Sequence, residues 1–108
     1  MKTLKFRKKL ADMILSNTKD TTWRLFDDKD LSAGDEISFL VWETGEEFKR
    51  AKILDVNETT FGKLTDEDWN GHEKFESEKE MYETYSGYYH RPVDENSPVK
   101  VIKFELIK

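Results

Sequence analysis

Between Glu36 and Val56 the chain alternates apolar and polar residues on both sides of a glycine turn. Successive side chains of an extended chain point to opposite faces. Ile37, Phe39 and Val41 therefore share one face of a strand, and Ser38, Leu40 and Trp42 share the other. Both faces carry apolar groups, so both are at least partly covered. Thr44-Gly45-Glu46 reads as a hairpin turn, and Phe48 to Val56 runs back from it. Phe48, Ile53 and Val56 serve the apolar side of this return strand, while Lys49, Arg50 and Lys52 turn one side towards water. The segment Asn57 to Gly62 reads as its continuation, ending at the glycine. With the shorter strands described next, this hairpin favours a small antiparallel sheet or barrel.

Leu4 to Phe6 forms a short opening strand, and Arg7 to Ser16 follows as a helix. Phe6, Leu10, Met13, Ile14 and Asn17 follow helical spacing and place four apolar groups on one stripe. Asn17 suits the helix end, because asparagine tolerates left-handed backbone angles. Thr21 to Leu25 reads as a strand with Thr22 and Arg24 on one face and Thr21, Trp23 and Leu25 on the other, core-facing one. The polar run from Asp27 to Asp35 is a loop. Its Asp27, Asp28 and Asp30 lack the spaced oxygens and terminal Glu of a calcium loop. Thr65-Asp66-Glu67-Asp68 caps a helical turn with acids at its positive end. Gly71 then breaks the chain and sets His72 and Glu73 on a loop. Ser77-Glu78-Lys79-Glu80 is a capping box opening a helix through about Tyr89, whose Met81, Tyr82, Tyr85, Tyr88 and Tyr89 form a stripe. Packing explains that stripe more simply than base stacking. Pro92 stops the helix, Asp94 to Pro98 turns, and Val99 to Ile107 closes the chain as a strand. The predicted class is α+β, in the order β-α-β-β-β-(short α)-α-β, with residues 1–108 as one domain.

Composition narrows the functional classes. Charged residues make up 38% of the 108, yet seven Phe, four Tyr and three Trp supply enough large apolar surface to argue against disorder. The absence of cysteine removes disulfides, thiolate nucleophiles and Cys-ligated zinc. No apolar run approaches a membrane span, and the opening Met1-Lys2-Thr3-Leu4 has no signal-peptide core. A cytoplasmic location is the expectation. The net charge of -5 is unevenly spread. Residues 1–24 carry seven Lys/Arg against two Asp, a local +5, and the remainder eleven basic against twenty-one acidic residues. Any contact with a polyanion is therefore expected at the N-terminal quarter.

Chemistry concentrates in Lys19-Asp20-Thr21-Thr22-Trp23-Arg24. A threonine hydroxyl is a weak nucleophile unless a neighbouring base takes its proton, and a lysine serves once burial or nearby cations depress its pKa. Lys19, Thr22 and Glu73 are the candidate catalytic residues on that logic. Arg24 would help to depress Lys19, and Glu73 would oppose it. His72 and His90, eighteen residues apart and without thiolates, make a poor metal site. The glycines Gly45 and Gly62 are isolated, so no phosphate loop is present. No metal or cofactor is expected.

These pieces, in their order, resemble the ASCH-domain family, whose fold is similar to the PUA domain of RNA-modifying enzymes. The resemblance spans the chain. It rests on a helix leading into Lys19-Asp20-Thr21-Thr22-Trp23-Arg24, Gly34-Asp35 before a strand, Gly71-His72-Glu73 before a helix, and a final apolar strand. It implies a PUA-like mixed β-barrel flanked by helices, with a cleft floored by the Lys-x-x-Thr-x-Arg pattern. It also implies RNA or a modified nucleoside or nucleotide as partner. Arg24 matches the family's cleft arginine, and Thr21, Trp23 and His72 flank the motif as further ligand-binding candidates. A bacterial branch that this chain resembles hydrolyses acetylcytidine through a Lys, a Thr and a Glu, which fall here on Lys19, Thr22 and Glu73. A nucleoside- or RNA-binding module and a small amidohydrolase thus stand as two readings. An adaptor using the tyrosine-rich helix is a third.

Overall fold

The computed structural model describes residues 1–26 and 29–107. Asp27 and Asp28, part of the acidic loop considered above for a cation, lie outside the described residues. The elements run β1 (Lys2–Phe6), α1 (Lys8–Leu15), β2 (Thr21–Arg24), β3 (Glu36–Val41), β4 (Glu47–Thr60), a 3-10 turn (Phe61–Lys63), α2 (Asp66–Trp69), α3 (Glu78–Tyr89) and β5 (Pro98–Ile107). This is the expected α+β order.

The five strands form one sheet in the order β1-β3-β4-β5-β2. The sheet is mixed: β1 runs parallel to β3, and the remaining pairs are antiparallel. The wholly antiparallel sheet suggested by the hairpin alone is thus corrected at β1, which α1 and β2 separate from its partner in sequence. The two edge strands do not pair with each other, so the sheet curls into a half-barrel. It curls far enough for Arg24 on β2 to donate from Nη2 to the Lys5 carbonyl on β1 at 2.8 Å.

Two features of β4 differ from expectation. It is a single 14-residue strand, and Phe61-Gly62 leaves it as a 3-10 turn. Its pairing with β5 slips between Ile53 and Asp55, leaving Leu54 as an extra residue that is half exposed. Such a bulge twists and bends its strand, which suits a sheet that must curl.

Two apolar cores flank the curl. In one, Ala11 and Ile14 of α1 pack on Phe6, Ile37, Phe39, Ile53 and Phe104. The other gathers Trp23, Leu25, Phe61, Met81, Tyr85, Val99 and Val101 beneath α3. Alternation along β5 feeds both, Ile102 and Phe104 to the first, Val99 and Val101 to the second. Thr65 and Asp68 form a complete capping box at α2. At α3 only half of the expected box is present. Ser77 accepts from the Glu80 amide, but the Glu80 carboxylate accepts from Glu76 and not from Ser77. Asn17 takes the left-handed angle (φ 64) expected of it after α1. No helix among the described residues is long and apolar enough to cross a membrane.

Candidate functional site

A cleft of about 370 Å³ opens where β1 and β2 fail to pair. Thr22, Arg24 and Glu73 line it, together with the rings of Trp42, Tyr85 and Tyr88. Beneath its surface lies a buried polar cluster that joins the loop before β2 to the loop between α2 and α3.

The joint between those loops is made by backbone. Asp20 and Thr21 both donate their amides to the Gly71 carbonyl, at 2.9 and 3.1 Å, and the Phe104 amide donates to Asp20 O. The Thr21 hydroxyl, fully buried, donates to the Asn70 carbonyl at 2.7 Å. Its side chain thereby fastens the α2–α3 loop and does not line the cleft. Thr22, one residue on, takes the opposite face. It is 4% exposed, lies on the cleft, and no hydrogen bond ties its hydroxyl to another described residue.

Lys19 enters from the turn after α1 and is 2% exposed. Its ammonium donates to the Thr21 carbonyl at 2.6 Å and to Glu73 Oε1 at 2.5 Å. Burial lowers the Lys19 pKa, Glu73 works against that shift, and Arg24 adds to it. Glu73 lines the cleft and Lys19 does not, so the lysine holds the carboxylate from below the cleft surface.

His72 is held by the same cluster. Its Nδ1 lies 2.8 Å from the Glu73 carbonyl, which can only accept, so the ring proton sits on Nδ1. Nε2 is then an acceptor, and the Tyr85 hydroxyl donates to it at 3.1 Å. Burial, reinforced by the charge of Lys19, pulls the His72 pKa down to about 2. The 3.1 Å approach of Nδ1 to Glu73 Oε1 is therefore a contact with a neutral imidazole and not an ion pair. The ring stacks on Trp23 with centroids 3.7 Å apart and planes 15° from parallel. Trp23 in turn donates Nε1–H to Asp68 O at 3.1 Å. Burial raises Tyr85 well above its ordinary pKa, which keeps it a neutral donor.

The structure thus brings Lys19, Glu73 and His72 into direct contact and sets Thr22, Arg24 and Glu73 on one cleft. Trp23 reaches the cleft from the apolar core, whereas Lys19, Thr21 and His72 lie below its surface. Arg7, Tyr85 and Tyr88 also line the cavity, although the sequence did not single them out as site residues. Tyr85 and Tyr88 belong to the stripe read from the sequence as packing in preference to base stacking. Arg7 lies in the basic N-terminal quarter where a polyanion contact was expected, but nothing local marks its contacts with Trp42 and Tyr88, which are remote in sequence. Among the described residues no group of three or more His, Cys, Asp or Glu is placed to hold a metal ion.

No protein-family model and no curated protein matches the chain. Solved structures do. The ASCH domain from Lactobacillus crispatus superposes with a TM-score of 0.70 at 13% identity, covering 97% of this chain and 79% of its own. An Enterococcus faecalis protein of family DUF984 gives a TM-score of 0.76 at 13% identity, covering 99% of this chain and 76% of that one. A mutant form of the Zymomonas mobilis ASCH protein gives 0.62 at 16% identity, over 95% and 66%. At such identities the likeness is one of backbone. With its mixed half-barrel and flanking helices, the chain has the fold of the ASCH domain.

Proposed function

We propose that the chain binds RNA or a modified nucleoside or nucleotide, with the base seated in the β1–β2 cleft. One observation carries this reading: the cleft combines a fixed carboxylate with flat aromatic walls. Glu73, held by Lys19 and His72, is an acceptor for an exocyclic amine or ring N–H. Thr22 offers a hydroxyl that donates or accepts, and Arg24 offers donors. The exposed rings of Tyr88 and Trp42 supply stacking surface, with Tyr85 packed behind Tyr88. A cavity of this size suits a ligand no larger than a nucleotide unit. The test is calorimetric titration with the four common ribonucleosides, acetylcytidine and a short single-stranded RNA at low salt. Binding that Glu73→Gln weakens about tenfold, the loss of one charge-assisted hydrogen bond, is the expected result. No association with any of these ligands would overturn the reading.

A second reading rests on Thr22, which lines the cleft one residue after the Thr21 carbonyl that Lys19, a lysine of lowered pKa, holds at 2.6 Å. Here the chain hydrolyses the acetyl amide of an acylated cytidine. Thr22 attacks the acyl carbonyl or orients the attacking water. Lys19, after giving up its ammonium proton to solvent in the free enzyme, acts as a neutral-amine base and then returns the proton it takes to the departing amine, with Glu73 passing it between lysine and cleft. The C–N bond breaks, one water is consumed, and acetate and the free nucleoside leave. Chromatography of acetylcytidine incubations checks this: release of cytidine should vanish in Thr22→Val and in Lys19→Met. Turnover unchanged by both substitutions removes the mechanism. The adaptor reading loses its support, since most of the α3 stripe is spent on packing and only Tyr88 of the four tyrosines is exposed.

A further inference from the structure

Arg7 leaves β1 at the mouth of the cleft and lines it. Its guanidinium lies 3.7 Å from the ring centroid of Trp42 and 5.6 Å from that of Tyr88, so two rings from separate elements hold it in place. In a chain with twenty-three acidic residues, no carboxylate among the described residues pairs with it. Glu43, on the neighbouring hairpin, is committed elsewhere: its carboxylate accepts from the Lys8 amide at 2.9 Å and caps α1. A guanidinium stacked on aromatic rings keeps its N–H edges available in the ring plane. That edge is the part of arginine that matches a phosphate in a two-point contact.

The rest of the cleft sets the direction of a ligand. Tyr88 lines the same cleft as Glu73, and its ring lies 5.6 Å from the Arg7 guanidinium, so the carboxylate and the guanidinium border one cavity. Lys5 and Lys29 also line the cavity, and Glu73 is the only acid among its described lining residues. Among the described residues the lining is therefore locally cationic in an acidic chain. Trp42, about half exposed beside Arg7, adds an apolar face at the rim.

We infer that Arg7, clamped by Trp42 and Tyr88, is a phosphate receptor, and that the ligand is a nucleotide whose base lies at Glu73 and whose phosphate meets Arg7 at the rim. This rests on the base-binding reading above and narrows its ligand from nucleosides in general to those carrying a phosphate. Phosphates on the 5′ and 3′ oxygens share the chemistry, and the experiment separates them.

The test compares each ribonucleoside with its 5′- and 3′-monophosphate by calorimetric titration at low salt. The parent, Arg7→Met, Arg7→Lys and Trp42→Leu are each measured. One of the monophosphates should bind the parent at least about tenfold more tightly than its nucleoside, the strength of a charged two-point contact. That ratio should collapse towards one in Arg7→Met. It should recover only in part in Arg7→Lys, which keeps the charge but not the planar fork. It should also fall in Trp42→Leu, which leaves the arginine in place but removes its clamp. Nucleosides binding as tightly as both monophosphates, or a ratio that survives Arg7→Met, would overturn the inference and leave base binding standing. Failure of nucleosides and monophosphates alike to bind would overturn both.

Discussion

Lys19 loses its water on folding, and Glu73 is the carboxylate that compensates it at 2.5 Å. Breaking such a buried pair by removing one member costs about 3–5 kcal/mol, because the other charge is left without a counterpart. The residues proposed to bind are therefore also folding residues, and substitutions at Glu73 are best conservative. His72 makes the same point through pH. Its pKa is about 2 in the fold against an ordinary 6.5. Below pH 6.5 the unfolded chain takes up a proton that the folded chain refuses, so acidification favours unfolding. Stability that is complete above pH 6.5 is lost progressively as the pH falls towards 2. Asp35 and Glu47 have lowered pKa values and respond only further down, below their ordinary 3.8 and 4.5. Urea midpoints between pH 7 and 5 thus isolate the histidine from these carboxylates. The parent midpoint should fall over that range, and His72→Gln, which cannot titrate, should fall less steeply whatever its absolute stability. Parallel slopes would show that the imidazole accepts a proton without loss of the fold.

At the scale of elements, the site depends on one close approach between loops. Gly71 has φ 81, and a Cβ there would stand 1.7 Å from Asp20 Oδ1 and 3.1 Å from Thr21 Oγ1. Gly45, in the β3–β4 turn, has φ 76 but nothing within 4 Å of a Cβ. Gly45→Ala should therefore cost only its backbone strain, about 1 kcal/mol. Gly71→Ala must also swing the exposed Asp20 carboxylate aside and crowd the buried Thr21 hydroxyl, so a larger loss of about 2–3 kcal/mol is expected, with weaker ligand binding as the loop that carries Glu73 yields. Chemical denaturation of the two variants gives the comparison, and equal losses would disprove the steric account. Local signals of this kind were legible in the residues: the Thr65–Asp68 cap, the left-handed Asn17, and the alternation of β3. What escaped notice was non-local. Parallel pairing of β1 with β3 has no mark in either strand, and the Leu54 bulge shows only once β5 fixes the register. Lys19 and Glu73 lie 54 residues apart, so their pairing followed from resemblance and not from spacing. The Arg7 clamp draws on β1, the β3–β4 hairpin and α3, and had no local sequence mark to find.

Across the whole molecule, the cleft exists because the sheet stops short of closing. β1 is bonded only to β3, and β2 only to β5, so a closed barrel would need a β1–β2 ladder that is absent among the described residues. Among the described residues, one side-chain hydrogen bond crosses the gap. Arg24 donates to Lys5 O at 2.8 Å and rests its guanidinium 4.5 Å from the Phe6 ring centroid. It thus ties β2, beside the Trp23 core, to β1, beside the Phe6 core. The opening proposed to admit a ligand is also the weakest seam of the sheet, since edge strands held from one side open most readily. Replacing Arg24 by Met keeps much of the apolar stem but removes the charged hydrogen bond, at a cost of about 1–3 kcal/mol. Amide exchange followed by mass spectrometry should then accelerate in residues 2–6 and 21–24 more than in the β4–β5 ladder, which is paired along most of its length. A uniform acceleration across all strands would mean that Arg24 contributes to global stability alone and does not hold the seam. Acceleration confined to the two edges would locate the cleft's width, and with it the ligand's fit, in a single guanidinium spanning the unpaired strands.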